Sequence, residues 1–203
     1  MKTAFRVGAV GGLILLGLVL FEILHGGGAP LAWDLRIQER FLGWHSRILT
    51  DLAKTLHLAA STPATAVYAA FLVLAAWMGK WRKGAFAVAG VAGGIALLTE
   101  GLKVGAARPR PDAMGWLVHV SGGSLPSGHA SGAMGVALLG ILLARRLLRP
   151  GAYRKVAVTV LGLWPLAVGA SRVYLGVHYA SDVVVGCLLG VTWCSAWMLC
   201  FAP

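Results

Sequence analysis

Acidic residues are scarce in this chain. Seven Asp and Glu stand against 18 Lys and Arg, and only 12% of the 203 residues are charged. A soluble domain carries roughly a quarter charged residues. That deficit, with 58% apolar residues, excludes a soluble globular protein and a disordered one. Cysteine is nearly lacking too. Cys187, Cys194 and Cys200 lie in the last apolar segment, without Cys-x-x-Cys spacing or a nearby His. Neither a metal site nor a disulfide framework is indicated, and the three read as small apolar residues of a bilayer helix. There is no long internal repeat, low-complexity tract or separating linker, so residues 1–203 read as one domain. The length accommodates about six membrane crossings. The net charge of +11 would suggest nucleic acid in a soluble protein, but no basic patch is interleaved with exposed aromatics, so no nucleic-acid partner is expected.

Six apolar stretches carry the hydrophobicity: about Ala4–Leu24, Thr62–Gly79, Gly84–Leu102, Ser127–Leu148, Val156–Ser171 and Asp182–Phe201. The first follows Lys2 and Arg6 like a signal peptide. Its apolar run is too long for a signal core and no small-x-small cleavage site follows, so a retained helix is expected. Thr62 reads as the N-cap of the second, with Pro63 at its first helical position. Pro165 lies inside the fifth, where a membrane helix tolerates it. Between the first two, Ala32–Ala59 differs. Ile37, Phe41, Trp44, Ile48, Leu52 and Leu56 recur every three or four residues, with Arg36, Arg40, Arg47, Asp51 and Lys54 between them. One or two amphipathic helices in the headgroup layer are expected, packing on the bundle or giving access to lipid. The fold class is therefore all-α: six transmembrane helices plus an interfacial helix.

With both termini cytoplasmic, the cytoplasmic side holds Lys2, Arg6, Lys80, Arg82, Lys83, Arg145, Arg146, Arg149, Arg154 and Lys155, and no acid. The opposite side holds the other eight cations and all seven acids, as the positive-inside rule requires. Gly90/Gly94 and Gly186/Gly190 suit close helix packing.

Helix parity also puts a polar set on the outer side. Lys103 follows the third helix, with Arg108 and Arg110 soon after. Pro126-Ser127-Gly128-His129 opens the fourth. Ser171-Arg172 ends the fifth, and His178 and Asp182 begin the sixth. Ionisable groups at membrane depth are functional candidates. Lys103, Arg110 and Arg172 offer positive charge and many donors to phosphate oxygens. Ser127 and Gly128 turn into a helix whose N–H groups and dipole favour an anion. His178 and Asp182, four apart, read as one helical face. There the carboxylate takes one ring proton and the other nitrogen keeps a lone pair, to attack or to accept a proton. His129 is a second imidazole, so nucleophile and acid can be separate residues.

Lys103-x6-Arg110-Pro111, Pro126-Ser127-Gly128-His129 and Ser171-Arg172-x5-His178-x3-Asp182 together resemble the three-part signature of the type 2 phosphatidic acid phosphatase family. The resemblance implies that His178 becomes a phosphohistidine and that Asp182 orients it. His129 would protonate the leaving oxygen and then activate water. Lys103, Arg110, Ser127, Gly128 and Arg172 would hold the phosphoryl oxygens. It implies no metal and no cofactor. Arg108 fits no motif position and is expected at a substrate headgroup; Glu22 also lies outside the signature. Glu100, three before Lys103, is expected to pair with it.

The reading is a multi-pass inner-membrane phosphatase with its site at the extracytoplasmic interface. Its substrate would be a lipid phosphate or pyrophosphate: undecaprenyl pyrophosphate or phosphatidylglycerol phosphate, with lipid A phosphate as the alternative. A non-catalytic membrane protein that binds anions would use the cations without requiring both imidazoles. The sequence assigns no oligomeric state.

Overall fold

The computed structural model describes residues 2–112 and 115–201, and among them there is no strand. Eight helices follow in order: α1 (Lys2–His25), α2 (Ala32–Leu42), α3 (Arg47–Ala59), α4 (Thr62–Met78), α5 (Arg82–Ala106), α6 (Gly128–Leu147), α7 (Ala152–Tyr174) and α8 (Ala180–Phe201). Five of them, α1 and α5 to α8, are long and apolar enough to cross a bilayer. At 17 residues α4 spans about 25 Å, short of a ~30 Å hydrocarbon core. It follows α3 at a bend of 55°, and that bent pair raises the number of candidate spans to six.

The expected N-cap of α4 moves by one residue. Ser61 is the cap, its Oγ accepting from the Ala64 N–H at 3.5 Å, and Thr62 is already helical. The amphipathic segment is two helices, broken at residues 43–46. Its expected apolar stripe does not all face inward: Ile48 and Leu52 of α3 are exposed, while Ala53 is buried toward α7.

Helix α6 is central, packed against α4, α5, α7 and α8. Its buried positions are mostly small, including Ala130, Ser131, Ala133, Gly135, Ala137 and Gly140. Without a strong solvent-driven term between helices in lipid, close backbone approach supplies the dispersion contact. Gly186 and Gly190 of α8 face this surface. A Cβ at Gly186 would stand 2.6 Å from the Ser127 carbonyl oxygen, and one at Gly190 would stand 2.8 Å from Met134 Cβ. Gly90 and Gly94 of α5 lie under the rings of Trp197 and Trp193. The α6–α8 approach matters most, because it joins Ser127 to the turn that carries Asp182. The Ser127 N–H donates to the Asp182 carbonyl at 3.0 Å.

Gly186→Ala should therefore lower the melting temperature in detergent, with an overpacking cost of about 1–3 kcal/mol. Gly17 of α1 has nothing within 4 Å of its Cβ position, so Gly17→Ala should leave stability unchanged or raise it. Equal melting temperatures for the two variants would contradict the close α6–α8 approach.

Candidate active site

Four helix ends open onto one cavity of about 420 Å³. Its polar end is made by Lys103 from the last turn of α5, Arg110 from the following loop, Gly128 and His129 from the start of α6, Arg172 from the last turn of α7, and His178. The other end runs between α4, α5 and α6 and is apolar, with Ala69, Ala92, Ile95, Val136 and Leu139 on its walls. Six of the eight expected site residues thus share one wall. Ser127 and Asp182 stand behind it, fully buried.

Hydrogen bonds from arginine fix which ring nitrogens hold lone pairs, because a guanidinium can only donate. Arg110 NH1 lies 3.2 Å from His178 Nε2, so Nε2 presents its lone pair and the ring proton sits on Nδ1. Nδ1 faces Asp182 Oδ2 at 3.5 Å. That is long for a hydrogen bond, and Nδ1 has no other partner among the described residues. Asp182 Oδ2 also accepts from the Tyr179 N–H at 2.9 Å. The two residues do not share a helical face. His178 lies in the turn before α8 and Asp182 in its first turn, so the carboxylate reaches back across the turn as a cap. Burial pushes the His178 imidazole down to about 4; the bond and charge of Asp182 oppose this, and Arg110 and Arg172 reinforce it. The ring is therefore neutral at neutral pH.

The residues expected to bind phosphate differ in readiness. Arg110 is pinned by the carbonyls of Gly122 (2.9 Å), Val177 (2.6 Å) and Ser121 (3.1 Å). Lys103 pairs with Glu100 at 2.9 Å, as its spacing suggested. Ser127 Oγ and Arg172 Nε are buried with no hydrogen-bond partner in the protein. The Ser127 N–H is committed to Asp182, so it is not one of the free amides expected there. Gly128 and His129 begin α6, where backbone N–H groups have no helical carbonyl to meet.

Arg108 is not a headgroup contact. It is 1% exposed, and all five of its N–H groups are used. Nε donates to Gly28 O (3.0 Å); NH1 to Ser181 Oγ (2.8 Å) and Asp182 Oδ1 (2.6 Å); NH2 to Ala29 O (3.0 Å) and Asp34 Oδ2 (3.2 Å). Asp34 of α2 is itself fully buried and accepts from the Ser181 N–H (2.7 Å), Ser181 Oγ (2.6 Å) and the Leu31 N–H (3.0 Å). Glu22 is exposed on α1.

Sequence reasoning missed two residues. Asp34 carried one available signal, an acid at N3 of a helix. His57 carried none. Its Nδ1 lies 2.8 Å from Arg172 NH1 and 3.0 Å from His129 Nε2.

Arg108→Met would leave two buried carboxylates without their counter-charge. It should destabilise the protein by about 3–5 kcal/mol, read as a large drop in melting temperature. Asp34→Asn should cost less, because Asp182 still balances Arg108. A wild-type melting temperature for Arg108→Met would show that the cluster does not hold the fold.

Comparison with known proteins gives the family and the fold. The PAP2 superfamily profile matches residues 83–203. Phosphatidylglycerophosphatase B of Bacillus subtilis (strain 168) is 40% identical over 96 residues, a match spanning 47% of each chain. Among solved structures, a transmembrane PAP2-type phosphatidylglycerolphosphate phosphatase from Bacillus subtilis superposes with a TM-score of 0.76 at 24% identity, covering 94% of both chains. LpxE of Aquifex aeolicus superposes with a TM-score of 0.65 at 20% identity, covering 83% of this chain and 96% of that one. These likenesses carry the all-helical membrane fold, and the profile covers more than half of the sequence, including every signature residue: the chain belongs to the PAP2 superfamily.

Proposed function

We propose that the protein hydrolyses a lipid phosphate through a phosphohistidine, with His178 as nucleophile. The observation that carries this reading is the His178 Nε2 lone pair, held on one cavity wall with Arg110, Arg172 and Lys103 while Ser127 Oγ and Arg172 Nε stand buried without partners. A phosphoryl group supplies the acceptors these donors lack, and it draws the Arg110 donor off Nε2.

Nε2 then attacks phosphorus, and the bond from phosphorus to the lipid oxygen breaks. His129 gives its proton to that oxygen. Asp182, facing Nδ1, balances the positive charge on the phosphorylated ring. Lys103, Arg110, Arg172, Ser127 Oγ and the Gly128 N–H share the charge of the equatorial oxygens, which is where most of the rate gain arises. Water next attacks the phosphohistidine, gives its proton to His129, and releases phosphate. His178 ends with its lone pair restored, and no proton is gained or lost by the site.

The apolar end of the cavity suits a lipid chain. Phosphatidylglycerol phosphate is favoured, since the Bacillus subtilis relatives are described as phosphatases of that lipid. Undecaprenyl pyrophosphate presents the same terminal phosphate chemistry. With six spans, α1, the bent α3–α4 pair and α5 to α8, and with α2 at the interface, the positive-inside asymmetry favours the extracytoplasmic face of the inner membrane for the site. The cationic ends near Arg82 and Arg146 lie on the cytoplasmic face.

In a variant lacking cysteine, His119→Cys in the α5–α6 loop should react with an impermeant thiol reagent on intact cells. Tyr153→Cys should react only after permeabilisation; both positions are exposed. The reverse pattern would put the site in the cytoplasm.

Chemistry is tested on purified protein with a panel of lipid phosphates and with nitrophenyl phosphate. His178→Ala should abolish phosphate release from both kinds of ester. His129→Ala should lose about 10²–10⁴-fold on the lipid, whose alkoxide needs a proton, yet keep a nitrophenolate burst followed by slow turnover. A burst in His178→Ala and none in His129→Ala would swap the roles. No phosphate release from any lipid by the wild type would leave an anion-binding protein.

A further inference from the structure

The three imidazoles of the site are not equivalent, and one of them lies outside the signature. His57 comes from α3, and its Nδ1 meets both Arg172 NH1 at 2.8 Å and His129 Nε2 at 3.0 Å. The guanidinium must donate, so His57 Nδ1 is an acceptor. His129 Nε2 must then carry the proton it shares with His57. The two rings lie with centroids 4.9 Å apart and planes inclined by 29°.

We propose that His57 is a positioning residue for the general acid: it holds His129 with a proton on Nε2 and stabilises its imidazolium form. This rests on the assignment of His129 as the acid. With Nε2–H engaged, Nδ1 is the nitrogen left for acid–base work. Nδ1–H goes to the leaving oxygen in the first half-reaction, and Nδ1 takes a proton from water in the second. The Nε2 proton never leaves, so His57 is neither protonated nor deprotonated in the cycle. An acceptor fixing one ring nitrogen while the other does chemistry is the logic of a catalytic triad.

The arrangement also ties anion binding to the acid. One lone pair on His57 serves two donors. When a phosphoryl group engages Arg172, that lone pair turns to His129 alone, and the imidazolium gains its acceptor as substrate arrives. The other charged or titratable groups around His129 are Arg172 from α7, His178 from the α7–α8 turn, Arg110 from the α5–α6 loop, and Lys103 with Glu100 from α5. From α4, Thr62 and Thr65 join the polar lining, but the group that His129 Nε2 meets comes from α3.

The test compares His57→Leu, which deletes the acceptor, with His57→Asn, whose amide oxygen can replace Nδ1, in purified full-length protein. The acid works protonated, so losing its acceptor lowers its pKa and moves the alkaline limb of kcat to lower pH. For His57→Leu we expect a shift of about one pH unit. Turnover of the lipid phosphate should fall about tenfold or more, with a much smaller loss in the nitrophenolate burst. His57→Asn should restore most of both. In a His129→Ala background His57→Leu should add little, as two residues acting through one step are not additive.

An alkaline limb that stays in place in His57→Leu, equal defects in the Leu and Asn variants, or multiplicative losses with His129→Ala would each overturn the proposal. If His129→Ala itself loses no more on the lipid than on the nitrophenyl ester, the acid assignment fails and takes this proposal with it. If His129→Ala behaves as an acid deletion while His57→Leu is silent, only His57's role fails.

Discussion

A single buried guanidinium ties the interface to the chemistry. Arg108 stands between Asp34 and Asp182, with ion pairs of 3.2 and 2.6 Å. Each charge alone would carry a desolvation penalty of several kcal/mol, and only the full set of hydrogen bonds offsets it. The cluster draws together four chain segments: the α1–α2 connection through Gly28 and Ala29, α2 through Asp34, the loop after α5 through Arg108, and α8 through Ser181 and Asp182. Asp182 Oδ1 is held by Arg108, which leaves Oδ2 to face the Tyr179 N–H and His178. The carboxylate cannot rotate without breaking a charged hydrogen bond. The carboxylate oxygen that faces the His178 ring is thus held in place by a cluster that lies outside the cavity lining. Two acids on one arginine also leave a net negative charge beneath a cavity otherwise rich in cations.

Much of this was legible in the sequence, and the reasons differ by feature. Five long apolar runs exceed what a soluble helix needs, so their identity as spans follows from length and composition. The signature residues assemble because helix parity puts α5, α6, α7 and α8 ends together; the spacing Gly186/Gly190 announced close packing without its partner, which the structure shows to be α6, where Ser127 bonds to Asp182. The failures are failures of range. Neither Asp34 nor His57 has a side-chain partner nearby in sequence; Asp34 is 74 residues from Arg108, and His57 is 72 from His129 and 115 from Arg172. Arg108 sits two residues before Arg110, and spacing alone does not say that one side chain turns into the core while the other lines the cavity. The turn at Ala107, a non-glycine residue in the left-handed region at φ 44°, ends α5 immediately before both.

The reading of His178 and Asp182 as a helical pair shows the same limit at short range. Periodicity predicts neighbours on a helix, but α8 begins at Ala180, and the contact is made by a carboxylate folding back over its own N-terminus. The consequence is chemical. An Asp in the first turn meets the positive end of the helix and the Tyr179 N–H, and its other face lies toward the ring that the proposed mechanism makes positive.

Two arginines perform matching tasks here. Arg110 donates to His178 Nε2 and Arg172 donates to His57 Nδ1, so each marks a ring nitrogen as a lone pair. Both also line the cavity, and in the proposed mechanism both take a phosphoryl oxygen. An anion entering the cavity draws these donors away from the imidazoles. The lone pair on His178 is then free to attack, and the lone pair on His57 is free to serve His129. On the proposed mechanism binding and activation become one event, because the donors that engage the ring nitrogens are the same donors that would hold the phosphate. A lysine at either arginine position would supply the charge without the fork that reaches a ring and an oxygen together.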